Sequence, residues 1–210
     1  MRASPIAALI LALAPSGMAA AEPVVELAAD EEASMALSAA PEHLRARAGV
    51  YRLGVRGFDL VRPSTNGFNC LVAREPSLGL GPLCFDKEGS ETLLKAELMQ
   101  GELMRQGRSE TEIAALVAAA FAAGRLAAPR RPGVAYMLSN NFSSVDAASG
   151  KRRCIFPPHL MFYAPYMKNA DIGAEPGHRG SVELPWILNE GKPNAYILVV
   201  GHGADAAACG

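Results

Sequence analysis

Leu160–Tyr163 (LMFY), set between Pro158-His159 and Pro165, and Tyr196–Val200 (YILVV), set between Asn194 and Gly201, are the stretches whose reading decides the fold. Neither alternates apolar with polar residues, so each reads as a strand buried on both faces. If the two are antiparallel neighbours, the residue preceding one lies near the residue following the other. The expected register sets His159 opposite His202, Tyr163 opposite Leu198 and Phe162 opposite Val199, with apolar residues meeting throughout. Carried outward, the ladder brings Cys154 towards Cys209. That leaves Cys70 to pair with Cys84, across the loop that follows an earlier hairpin.

The hairpin is expected upstream. Val50–Val61 (VYRLGVRGFDLV) and Phe68–Val72 (FNCLV) are rich in β-branched and aromatic residues, and Pro63-Ser64-Thr65-Asn66-Gly67 separates them. Asn-Gly between two such runs signals antiparallel strands joined by a turn. Helices are expected at Glu26–Ala39, Pro41–Ala48 and Glu91–Gln106, and from Ser109 onward. Ser109 is followed three residues later by Glu112, the capping-box spacing. Ile113, Leu116, Val117, Ala120 and Phe121 then recur at helical intervals up to Gly124, which closes the helix. Val134–Leu138 is a further strand and Asn140–Arg153 a polar loop. Strands early and late around central helices predict a single α+β domain with helices packed on a largely antiparallel sheet.

The start of the chain bears on its compartment. Met1-Arg2, the apolar run Ile6–Ala14 and the small residues Ala19 and Ala21 follow the order of a secretory signal peptide, cut after Ala21. The run is shorter than the roughly 20 apolar residues of a membrane span, and no later segment is long enough to cross. Residues 1–21 are thus read as a signal peptide, 22–49 as a helical lead-in and 50–210 as the α+β domain. The Ala-rich composition points to a bacterial, periplasmic or secreted protein. Four cysteines in an oxidising compartment favour disulfides, since none of them shows the close spacing of structural zinc sites. Twenty basic residues against 21 acidic ones give a nearly neutral chain, which argues against a nucleic-acid partner.

Motifs narrow function mainly by exclusion. The sequence has no G-x-S-x-G elbow, H-E-x-x-H, S-x-x-K or P-loop, and it implies no cofactor. Asp86–Glu91 reads as an acid-rich helix start, not as a calcium loop. The long Gly/Pro-rich segment 167–193 carries Asp171, His178, Trp186 and Glu190, and loops of that length in compact domains are usually functional. The leading expectation is therefore non-enzymatic binding of a small ligand or an envelope protein partner. Trp186, Tyr163, Asp171 and Glu190 are its contact residues. The alternative is a hydrolase or metal-dependent enzyme built on His159 and His202, with His178 from the overhanging loop, because imidazole serves as both acid/base and ligand. The sequence names no metal.

Overall fold

The computed structural model describes residues 24–75, 79–175, 178, 181 and 184–201. Among these are five helices, α1 (Ala29–Ser38), α2 (Glu42–Arg45), α3 (Lys87–Glu91), α4 (Leu93–Arg105) and α5 (Glu110–Ala122). The first strands are β1 (Gly49–Leu53), β2 (Phe58–Arg62), β3 (Asn69–Glu75), β4 (Gly79–Phe85) and β5 (Val134–Met137). They are followed by β6 (Ser143–Val145), β7 (Arg152–Cys154), β8 (His159–Tyr163), β9 (Trp186–Leu188) and β10 (Tyr196–Val200). All ten join one mostly antiparallel sheet in the order β2-β1-β3-β4-β5-β8-β10-β9, with the β6–β7 hairpin attached through β6 to β4. The architecture is α+β and dominated by its sheet.

The two deciding strands are antiparallel neighbours, but their register differs from the expected one. Tyr163 lies opposite Tyr196, Phe162 opposite Ile197 and His159 opposite Val200. A slip of two residues keeps every side chain on its face, so the apolar match that suggested one register fits the other equally. The ends choose between them: Ala164 N–H donates to the Ala195 carbonyl and Tyr166 N–H to Lys192, which fixes where the ladder begins. Nor are both faces of these strands buried. His159, Met161 and Tyr163 are enclosed, whereas Phe162, pointing the other way, is 40% exposed.

The early hairpin also forms differently. β1 pairs with β2 through a tight turn in which Gly54 N–H donates to the Gly57 carbonyl, so the turn lies inside the Val50–Val61 run. Asn66 and Gly67 do make a turn, with Gly67 at φ 83° and the Asn66 amide oxygen accepting from Phe68 N–H. That turn carries the chain past the end of β1, and β3 pairs with the far side of β1 in parallel. The polar stretch before Arg153 is likewise more ordered than expected, since it contains the β6–β7 hairpin.

Cys70 and Cys84 are bonded, with Cα atoms 4.0 Å apart. They sit directly opposite each other on β3 and β4, so they bridge two strands and not a loop. Cys154 is disulfide-bonded too, while the proposed partner Cys209 lies outside the described residues. Met35, Ala36, Ala39 and Ala40 share a buried cluster with Val50, Val72, Leu80 and this disulfide. Leu93 and Leu94 join a second cluster with Leu71, Leu83, Phe85, Met137, Met161 and Leu198. The segment read as a lead-in is therefore part of the core.

That segment also buries a charge. Glu32 is 1% exposed, and its carboxylate accepts from Arg74 Nη2 (2.8 Å) and from Leu53 N–H (3.1 Å). The Arg74 guanidinium donates as well to the carbonyls of Val25 and Val72, so each of its three nitrogens has a partner inside the protein. Burial still pulls the Arg74 pKa below its ordinary value, against the pull of Glu32.

Candidate functional site

Helix α5 begins where the capping box was expected. Ser109 Oγ accepts from Glu112 N–H (3.4 Å), and the Glu112 carboxylate accepts from Ser109 N–H (2.9 Å). Gly124, at φ 69°, closes the helix. Ile113, Val117 and Ala120 bind α5 to α4 through a separate small cluster with Ala96, Leu103 and Leu126. Along the same helix, residues 113, 114, 117, 118, 121 and 122 recur at intervals of one, three and four, a single stripe of its surface. This stripe forms one wall of a cleft of about 820 Å³. Three of the six are alanines, and their short side chains leave the space open.

The opposite wall is the sheet. Leu83 of β4, Met137 of β5, His159 and Met161 of β8, Tyr196 and Leu198 of β10, and Trp186 and Leu188 of β9 line it. The strand registers place Met161 opposite both Ala135 and Leu198, and Leu198 opposite Trp186, so these side chains share one face. Five adjacent strands contribute, which at the usual spacing spans about 19 Å. The cleft is therefore long for its volume, and that volume falls in the range of small-molecule sites. Arg108, Glu110 and Lys192 supply exposed polar groups to its lining.

The sheet wall has an aromatic centre. The His159 imidazole meets Phe156 edge to face with centroids 4.9 Å apart and Phe142 at 6.1 Å, and Phe156 meets Trp186 at 5.6 Å. Such tilted contacts suit the ring quadrupoles. His159 Nδ1 lies 2.9 Å from the Pro157 carbonyl, which only accepts, so Nδ1 carries the proton. Burial lowers the pKa of this imidazole from its usual 6.5, and the hydrogen bond to Pro157 only partly offsets that. The ring is consequently neutral, with an Nε2 lone pair that no described group satisfies.

The expected site residues are dispersed. Trp186 is half-buried and lines the cleft with His159. Tyr163 does not line it: its one hydroxyl proton is shared between Asp86 Oδ1 (2.8 Å) and the Val134 carbonyl (2.9 Å). Burial and the Asp86 carboxylate push its pKa far up. Asp86 also caps α3 through Gly89 N–H, so this tyrosine holds a helix start to the sheet. Asp171 accepts from Lys168 N–H, capping a 3-10 turn at Asn169–Ile172. Glu190 accepts from the backbone and side-chain amides of Asn169. Both acids fold segment 167–193 onto itself and are spent there. The His178 ring is tied to the Leu184 carbonyl at 3.0 Å, and His202 lies outside the described residues. No group of three histidine, cysteine or acidic side chains among the described residues is arranged to hold a metal.

Phe142 and Phe156 were not singled out from sequence. Phe142 sits in Asn141-Phe142-Ser143, which resembles a glycosylation sequon, and Phe156 precedes two prolines in what reads as loop. Phe156 carried a signal, an aromatic residue just ahead of a strand that opens on histidine, whereas Phe142, ahead of β6, carried none. No protein-family model, curated protein or solved structure matches the chain.

Proposed function

We propose that this chain is an exported binding domain whose cleft, between α5 and the β4–β9 portion of the sheet, holds a small elongated apolar ligand. One observation carries the reading: the half-buried Trp186, the buried His159 and the apolar stripe of α5 all face the same space. Apolar side chains held apart across such a space lose favourable contacts, which a ligand would restore. The Cys70–Cys84 disulfide is compatible with an extracytoplasmic protein, and no described helix is long and apolar enough to cross a membrane. A catalytic or metal site at His159 and His202 has less in its favour. Asp171 and Glu190, the acids expected to assist it, are engaged elsewhere.

Trp186 is the only tryptophan in the sequence, so it is a built-in reporter. Titrating the purified protein with stearic acid should change Trp186 emission saturably, with a one-to-one heat of binding by calorimetry. Unchanged emission together with no heat would overturn the reading.

A further inference from the structure

The cleft is apolar along most of its sheet wall, with one interruption. His159 is 4% exposed, and its Nδ1–H is committed to Pro157. Nε2 is then an acceptor with no partner among the described residues, in a residue that lines the cleft. A ligand that fills the cleft displaces water from such an acceptor, so it must either supply a donor or leave the acceptor unsatisfied, which is costly.

We infer that the ligand is a single aliphatic chain bearing a hydroxyl partway along its length, with the hydroxyl donating to His159 Nε2. This rests on the cleft being the binding site. The chain form follows from the span across five strands and from the aliphatic residues Met137, Met161 and Leu198 opposite Ile113 and Val117. The position follows from topology: in the order β4-β5-β8-β10-β9, His159 stands on the middle strand of the five. A hydroxyl at the end of a chain would miss it. A neutral donor suits the place because Phe142 and Phe156 flank His159 and Trp186 lies against Phe156, aromatic surroundings in which an ammonium would need a paired carboxylate.

The probes are stearic acid and its mid-chain hydroxyl derivative, compared by calorimetry on the intact protein. The hydroxylated acid should bind about tenfold tighter, the effect of satisfying one buried acceptor. His159→Phe should bind both acids equally, and His159→Gln, which keeps an acceptor, should restore part of the preference. If His159→Phe does not fold, nitrogen-15 NMR on the unaltered protein serves. The Nε2 resonance of His159 should move with the hydroxylated acid and stay in place with stearic acid. Equal affinities for the two acids in the unaltered protein would overturn this inference and leave the cleft as a binding site. A preference that survives in His159→Phe would overturn the assignment to His159. Binding of neither acid would overturn the cleft reading and this inference with it.

Discussion

The two ends of the sheet are built to different standards of closure. At the β1–β3–β4 end, α1 covers one face, α3 and the start of α4 contribute to the other, and the Cys70–Cys84 bond joins neighbouring strands. The largest fully enclosed side chains, among them Phe85, Leu71, Leu80, Leu93 and Val50, all come from this end. At the β8–β10–β9 end, α5 stands across a cleft on one face, and Phe162 on the other face is 40% exposed. The first end is closed by its own residues. The second leaves apolar surface without a partner among the described residues, which is the usual mark of surface kept for another molecule. Stability and binding should therefore map to opposite ends of one sheet.

The largest expected effect tests the closed end. Arg74→Met removes the hydrogen-bonded partner of the buried Glu32 carboxylate and leaves it only the more distant Arg52 guanidinium at 3.9 Å, and stability should fall by about 3–5 kcal/mol. Replacing both residues, as Glu32→Leu with Arg74→Met, should recover much of the loss, because no buried carboxylate is then stranded and Arg52, which loses Glu32, is 33% exposed. Denaturant unfolding with two-state analysis measures both. A fall below about 1 kcal/mol in the single variant would mean that Arg52 or water meets the Glu32 carboxylate in place of Arg74, and the contrast between the ends would weaken.

How much of this was legible in the sequence depended on whether the deciding physics was local. The α5 cap was readable because Ser109 and Glu112 satisfy each other within one turn. The β8–β10 pairing was readable from apolar runs, but its register was not, since both candidate registers match apolar residues with apolar ones. The parallel placement of β3 against β1 was hidden because Asn66-Gly67 specifies a turn and not the side on which the next strand lands. The Glu32–Arg74 pair was hidden for a related reason. Both residues sit in stretches that read as ordinary solvated positions, and only the docking of α1 across β3 brings them together. In the candidate site, His159 stood out as a histidine opening a strand and Trp186 as the lone tryptophan, placed in the long Gly/Pro-rich segment. Tyr163, Asp171 and Glu190 carry equally suggestive chemistry, but each is consumed by a nearby cap or carbonyl, a matter of spacing across the fold that composition does not show.

A smaller effect, dependent on pH, tests the open end. Burial holds the His159 imidazole below its usual pKa of 6.5, so just under that pH the unfolded chain binds a proton that the folded chain does not. Stability then rises with pH in this window. The contribution is complete above about 6.5 and is lost as pH falls through the folded value. The unfolding midpoint of the unaltered protein should decline over that interval, and His159→Phe should lack this part of the decline. Identical slopes in the two proteins would mean that the imidazole is as free to protonate as in the unfolded chain. The aromatic enclosure by Phe142 and Phe156 would then not be a dry one.

The smallest expected effect on stability is the sharpest test of the contrast. Ala118 is exposed on the cleft-facing stripe of α5, whereas Ala115, also exposed, is outside the cleft lining. Leucine is nearly as good a helix former as alanine, so Ala118→Leu and Ala115→Leu should each change stability by less than about 0.5 kcal/mol. Their effects on binding should separate. A leucine at 118 projects into the space that a ligand would occupy and should weaken stearic acid binding about tenfold, while a leucine at 115 should leave it unchanged. If both variants bind as the unaltered protein does, the stripe on α5 is not the second wall of a site. If both lose binding together, the loss comes from the helix as a whole. Only the split result ties binding to the face that the alanines keep open.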